Sequence, residues 1–307
     1  MNQTTYALNH VRSLYPNVEV LLDEPMSNHT SFKIGGMVKA IFMPKRAQEL
    51  AEISRILSRN NVQPLIIGKG TNLLVDDKAL DLIVIKTTGL NEITKISDNE
   101  LIAGSGALLS KIALFAYENE MIGFEFAHGI PGTLGGAIVM NAGAFGGEMR
   151  DVIKASSAYN IAVGAYTVEG DEHAFAYRAS RFTGVDKKSI VLSSIISLQK
   201  GYKEVIAAAL EELAIRRAEN QPLEMPSAGS SFKRPQTGYA ASLIEQAGLK
   251  GYAVGGAAVS MKHAGFIVNH GGATFSDVIA VMEHIMKTVY KQFGIVLEPE
   301  VKVIRGQ

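Results

Sequence analysis

Ser230 and Ser231 stand side by side in PSAGSSFKRP (226–235), with Pro226, Gly229 and Pro235 around them and the cations Lys233 and Arg234 just beyond. Two prolines and a glycine restrict a backbone rather than extend a helix or a strand. A hydroxyl held in that way can deliver a proton if it is pre-aligned with the acceptor. No Ser-His-Asp spacing lies nearby to make either serine a nucleophile. The alternative is a turn serine that bonds its own backbone.

The other chemistry-bearing pattern is glycine. GKGTNLL (68–74) follows an apolar strand, and Gly68 and Gly70 can turn backbone N–H groups toward one anion. It lacks the G-x-x-x-x-G-K-[ST] spacing of a P-loop. GSGALL (104–109) also follows a strand and opens a helix, but Leu109 stands where the dinucleotide fingerprint wants Gly or Ala. A tight turn is the alternative for each loop. HGIPGTLGGAIVMNAGAFGGE (128–148) holds seven glycines, with Pro131 and Asn141 fixing its path. So many glycines suit a backbone that closely approaches a flat or phosphorylated ligand. The three stretches together suggest a long cofactor with a diphosphate and a planar ring, and FAD suits them better than a mononucleotide.

Strands and helices must position these loops. Residues 1–25 read as a helix candidate and linker. KAIFMP (39–44), DLIVIKT (81–87) and NELIAGSG (99–106) read as strands. AQELAEISRILSRN (47–60) is a helix with Leu50, Ile53 and Leu57 at helical spacing, and 108–121 is another. Residues 155–177 look like short antiparallel strands turned at Gly164 and Gly170, and 189–201 is a further strand. KEVIAAALEELAIRRAEN (203–220) is a helix with Val205, Ile206, Ala209, Leu210 and Leu213 as its apolar stripe. Residues 276–293 form a last helix, with Thr274 and Asp277 as a capping pair and Gly294 at C′, before a closing strand over 295–304.

Composition excludes several classes. Of the 307 residues 47% are hydrophobic and 20% charged, which can fill a core. Lys+Arg and Asp+Glu are both 30, so no basic footprint for nucleic acid is evident. The chain has no cysteine, hence no disulfide, thiolate metal site or Cys nucleophile. The seven histidines are scattered, so no metal site is expected. The N-terminus has no apolar signal region, and no run of about 18 apolar residues exists to span a membrane. A cytoplasmic protein is the expectation.

TSFKIGG (30–36), GKGTNLLV (68–75), IPGTLGGAIVMNAGAFG (130–146), YRASRF (177–182), PSAGSSFKRP, GGAAVSMKHAGFIVN (255–269) and LEPEV (297–301) recur in one order. This ordered set resembles the UDP-N-acetylenolpyruvoylglucosamine reductases, flavoenzymes of bacterial peptidoglycan precursor synthesis. The resemblance runs from about residue 27 to the end. The short interval between YRASRF and the strand at 189 resembles the type II branch, which lacks a tyrosine-bearing loop over the substrate. It implies an α+β fold: a two-part FAD-binding domain of the vanillyl-alcohol-oxidase type over 27–202 (about 27–90 and 91–202), after an N-terminal helix and linker at 1–26. A C-terminal α+β substrate-binding domain over 203–307 would complete it.

The same resemblance implies roles. FAD would be held by Gly68, Lys69, Gly70, Thr71, Asn72, Leu73, Gly104, Ile130, Pro131, Gly132, Gly135, Gly136, Asn141, Gly143 and Ala144. NADPH would be the reductant and UDP-N-acetylglucosamine enolpyruvate the substrate, handled by a monomer. Ser230 matches the proton donor, Arg178 the arginine at the reacting carboxylate, and Glu300 the catalytic glutamate. Glu300 is expected to work as a neutral acid, its pKa raised by burial and neighbouring charge. Tyr177, Arg234 and His263 fall at substrate positions. Asn220 departs from the family, which commonly has lysine there, and Lys233 or Lys262 could compensate. Two other functions stay open on the glycine loops alone. One is an FAD-dependent oxidase or dehydrogenase of a sugar or alcohol, and the other a non-enzymatic flavin-binding paralogue.

Overall fold

The computed structural model describes residues 2–306. It divides into two compact units, each assembled from separate stretches of chain. The first takes the chain up to Leu22, Lys39–Lys69 and Leu82–Arg216; the second takes Asp23–Val38, Gly70–Asp81 and the chain from Arg217 onward. Where the sequence suggests consecutive blocks, two short early segments therefore count with the C-terminal unit. Long-range pairing explains this. Leu73–Val75 runs parallel to Lys302–Ile304, and Phe32, Ile34 and Leu74 are buried in one core with Leu297 and Val301.

In the first unit, α1 (Gln3–Leu14) and α2 (Ala47–Arg59) share a core. Leu50, Ile53 and Leu57 of α2 are buried there with Phe42, Ile83 and Ile85, as the 3–4 residue spacing requires. A four-stranded sheet has the order Glu19–Pro25, Met37–Met43, Leu80–Lys86, Leu65–Ile67, with the last pair parallel, and its residues 19–22, 39–43, 82–86 and 65–67 fall in this unit. A five-stranded antiparallel sheet has the order Gly164–Glu169, Ile153–Asn160, Ile190–Ser197, Glu100–Gly104, Ile93–Lys95. α3 (Leu109–Glu118) and α4 (Leu134–Met140) pack into its core through Leu109, Ile112, Leu134 and Ile138.

The five-stranded sheet carries one fully buried polar cluster. The Nδ1–H of His173 donates to Gly170 O at 2.9 Å. Its Nε2 then accepts from the Ser156 hydroxyl at 2.9 Å, and Ser156 Oγ meets Ser194 Oγ at 2.8 Å. Burial pushes the His173 pKa below its ordinary value, with Arg181 adding to the effect. Its ring stacks on Phe175 at 4.9 Å.

α5 (Lys203–Asn220) follows the expected bounds, but Val205 is 52% exposed and only Ile206 of the expected stripe is fully buried. In the second unit, α6 (Ala240–Gln246) and α7 (Phe275–Phe293) cover a four-stranded sheet, ordered Ser227–Ser230, Phe266–Asn269, Ala257–Val259, Ala253–Val254. α7 starts as expected: Thr274 Oγ1 accepts from the Asp277 N–H while Asp277 accepts from the Thr274 N–H, and Gly294 closes the helix at φ 68°. The closing strand is shorter than expected. Only Lys302–Ile304 is strand: Pro299 makes an isolated bridge to Phe232, and the chain bends at Val301 before the strand starts. Among the described residues, no helix is long and apolar enough to cross a membrane, and no group of three or more His, Asp or Glu could hold a metal ion.

Candidate active site

Three glycine-bearing loops of the first unit meet. Gly135 N–H donates to Ser105 O at 2.8 Å, Leu134 N–H to Ala107 O at 2.9 Å, and Leu109 N–H to Gly132 O at 3.2 Å. Gly68 belongs to the same cluster: a Cβ added there would lie 2.0 Å from Thr133 Oγ1. The hydroxyls of Ser105 and Thr133 are buried without a hydrogen-bond partner. Buried hydroxyls are normally paired. Two orphans beside Gly68, Gly104 and Gly132–Gly136 therefore fit a polar ligand group, and an FAD diphosphate is such a group. Sequence reasoning missed Ser105 and Thr133, although both are hydroxyls embedded in the glycine motifs. Gly136 and Pro131 are exposed, while Ile130 packs against the core. Gly143–Ala144 pairs with Gly147–Glu148 in a short hairpin.

The remainder of the 68–73 loop belongs to the second unit. Gly70 sits at φ 68°, and a Cβ there would come within 2.0 Å of His29 O, so only glycine fits. Its carbonyl accepts from the Ser31 N–H at 3.2 Å. Asn72 ties the loop to the C-terminal segment: its Nδ2 donates to Glu300 O at 3.2 Å and its carbonyl accepts from the Lys302 N–H at 3.0 Å.

Arg178 sits in the first unit at the tip of a tight turn. Ala176 and Ala179 bond each other through N–H to O in both directions, at 3.0 and 3.1 Å, with Tyr177 and Arg178 between them. Arg178 has φ 53°, a left-handed conformation that β-carbon residues seldom adopt. Its guanidinium lies 5.3 Å over the half-exposed Tyr177 ring. Arg181 pairs with Asp186 at 2.7 Å. Asn141, expected among the cofactor residues, is fully buried with both ends of its amide engaged by backbone.

Ser230 and Ser231 differ in burial: Ser230 ends a strand and Ser231 lies in the bend that follows it. Ser231 is buried. Its N–H donates to Gly265 O at 2.8 Å, and its Oγ accepts from the Ile267 N–H at 3.2 Å. Its carbonyl accepts from the Glu300 N–H at 2.9 Å. Ser230 is half-buried and closes the strand beside Phe266, after a bulge at Gly229 with φ 77°. The segments carrying Ser230 and Glu300 are thus bonded neighbours, although 70 positions separate them in sequence. Arg234 stacks over Tyr239 at 4.2 Å. His263 accepts from the Gly265 N–H at Nδ1, and burial lowers its pKa, so it offers a neutral N–H rather than a cation. Neither candidate substitute for a lysine at Asn220 is uncommitted: Lys233 pairs with Glu298 at 3.1 Å and Lys262 donates to Ala218 O at 2.5 Å.

Two family models match the chain. Residues 221–304 match the C-terminal domain of UDP-N-acetylenolpyruvoylglucosamine reductase, and residues 38–166 match an FAD-binding domain. A protein of that reductase name from Caldanaerobacter subterraneus subsp. tengcongensis is 46% identical over 297 residues, covering 97% of each chain. The chain belongs to the UDP-N-acetylenolpyruvoylglucosamine reductase family. A second family member, from Clostridium beijerinckii, is 44% identical over 96% of each chain. The crystal structure of the Thermus caldophilus reductase superposes with a TM-score of 0.79 at 29% identity, covering 94% of this chain and 99% of that one. The family fold is α+β: an FAD-binding domain of the vanillyl-alcohol-oxidase type with a C-terminal α+β domain. A grass-pollen allergen with glucose dehydrogenase activity shares that fold at a TM-score of 0.50 and 13% identity.

Proposed function

We propose that the protein reduces the enolpyruvyl group of UDP-N-acetylglucosamine enolpyruvate to give UDP-N-acetylmuramate, with NADPH as reductant. The observation that carries this is the bonded pair of segments bearing Ser230 and Glu300 in a chain of this family. Gly68, Gly104, Ser105, Gly132, Thr133 and Gly135 would hold FAD. When bound, FAD would supply two-electron hydride chemistry between the reductant and the enol ether carbon.

The protein's own residues then have two tasks. Negative charge builds on the neighbouring carbon and its carboxylate and must be stabilised, and that carbon must receive one proton. The Arg178 guanidinium can grip the carboxylate with two N–H donors. A fixed donor aimed at developing charge is among the larger catalytic effects. Ser230 delivers the proton from its hydroxyl, a weak acid that works because the bulged strand end holds it in place. Glu300, as a neutral acid, donates a hydrogen bond to the enolate oxygen; an ionised carboxylate there would repel it. The neutral His263 and Arg234 serve the UDP-sugar, Arg234 through its charge on the diphosphate.

The test is anaerobic. The FAD-loaded protein is reduced with NADPH, UDP-N-acetylglucosamine enolpyruvate is added, and flavin absorbance is followed. Rapid reoxidation with formation of UDP-N-acetylmuramate supports the reading. Reduction without reoxidation rejects the substrate and favours an oxidase or dehydrogenase of a sugar or alcohol.

A further inference from the structure

Resting on that reading of Arg178, we propose that Asn141 is a positioning residue for the reaction. It holds the turn that presents Arg178 to the reacting carboxylate. Arg178 occupies the third position of the four-residue turn from Ala176 to Ala179 at φ 53°, where glycine or asparagine is the usual choice. A side chain persists in that conformation only where the surroundings determine it. The surroundings here are specific. Asn141 Nδ2 donates to Ala176 O at 3.1 Å, and its Oδ1 accepts from the Arg150 N–H at 3.0 Å. The Arg150 guanidinium donates to Phe175 O at 2.7 Å, and Ser180 Oγ donates to Val139 O at 2.9 Å. The turn is therefore pinned on both sides of Arg178, and before it the bond to the turn's own first residue comes from the Asn141 amide.

Asparagine suits this place for two reasons. Residue 141 closes α4 at φ 42°, and asparagine tolerates that conformation better than other side chains. Its amide also offers a donor and an acceptor from one position. The side chain is 0% exposed and both amide ends bond backbone. These contacts make the turn, not the cofactor, the object of its side chain. Loosening the turn lets residue 178 relax toward ordinary backbone angles, which re-aims the guanidinium.

The test uses the full FAD-loaded chain and two variants. Asn141→Gly keeps the left-handed helix end and removes the amide, so it folds even if a bulkier change does not. Asn141→Asp keeps the shape and the acceptor but loses the donor to Ala176 O. FAD content, the rate of reduction by NADPH, the rate of reoxidation by UDP-N-acetylglucosamine enolpyruvate, and calorimetric affinity of the oxidised protein for that compound are measured. In both variants we expect reoxidation to slow at least tenfold and affinity to weaken severalfold, with FAD content and reduction within twofold of wild type. Reoxidation within twofold of wild type overturns the proposal, as does loss of bound FAD or an equal slowing of both half-reactions. A wild-type protein that is reduced but not reoxidised rejects the proposed substrate instead, and this inference falls with it.

Discussion

Replacing each of the adjacent serines by alanine separates catalysis from stability in opposite directions. Ser231→Ala removes the oxygen that accepts from the Ile267 N–H, and both residues are buried at 1% exposure. The N–H is left in the core without a partner, which costs about 1–3 kcal/mol of folding stability. The backbone bonds of residue 231 to Gly265 and Glu300 survive in alanine. Glu300 keeps its place, and turnover of the folded variant stays within about twofold of wild type. Ser230→Ala takes a half-buried hydroxyl from the end of a strand, so stability changes by no more than about 0.5 kcal/mol. It removes the proposed proton donor, and a positioned general acid is worth about 10²–10⁴ in rate, or roughly 3–5 kcal/mol of barrier. Urea unfolding measures the first effect, and stopped-flow reoxidation of the reduced flavoprotein measures the second. If Ser231→Ala slows reoxidation a hundredfold while Ser230→Ala leaves it intact, the two side chains have been assigned the wrong roles. If both variants lose stability equally, the separation of roles fails.

Three other outcomes follow from the same structure. Gly70→Ala should purify with little bound FAD, because its Cβ would overlap His29 O and residue 70 must hold φ 68°; the flavin-to-protein absorbance ratio reports it. His173 is buried with its pKa pushed below the ordinary 6.5, so below about pH 6.5 the unfolded chain binds a proton that the native state resists. The stability this histidine contributes is complete above that pH and is lost as pH falls toward its native value. Melting temperatures of His173→Gln should accordingly fall less between pH 7 and pH 5 than those of wild type. Arg178→Lys keeps the charge but not the two-pronged grip, and loss of one charged hydrogen bond of about 1.5–3 kcal/mol should slow reoxidation about ten- to a hundredfold, with reduction by NADPH unchanged.

Local pattern made much of this fold legible. The apolar spacing of α2, and the Thr274, Asp277 and Gly294 signals around α7, each report a helix whose burial and ends are decided within a few residues. What local pattern could not show has distant causes. α4 forms within LGGAIVM, where two glycines weaken intrinsic helicity. Its Leu134 and Ile138 are fully buried in the core of the first unit, and that tertiary packing prevails. Val205 fits a helical stripe by spacing, yet α5 has only Ile206 fully buried among the stripe residues. The motif residues of the site were visible as types, whereas the work of Asn141 was not. Its position in a glycine-rich run pointed to a ligand, and only the turn carrying Arg178 shows what its amide bonds.

The irregular stretch before Lys302 ties these observations together. Residues 299–300 lie against 231–232, antiparallel, with Phe232 bridging Pro299. Two residues after Glu300 the chain runs parallel to Leu73–Val75. Between the two pairings the chain bends at Val301, so the first does not run on into the second. Pro299 sits within the antiparallel pairing, where it has no N–H to leave unpaired. Glu300 follows it with its N–H bonded to Ser231 O and its carbonyl bonded by Asn72 Nδ2. Its backbone is thus held between the strand end that carries Ser230 and the loop that begins at Gly68.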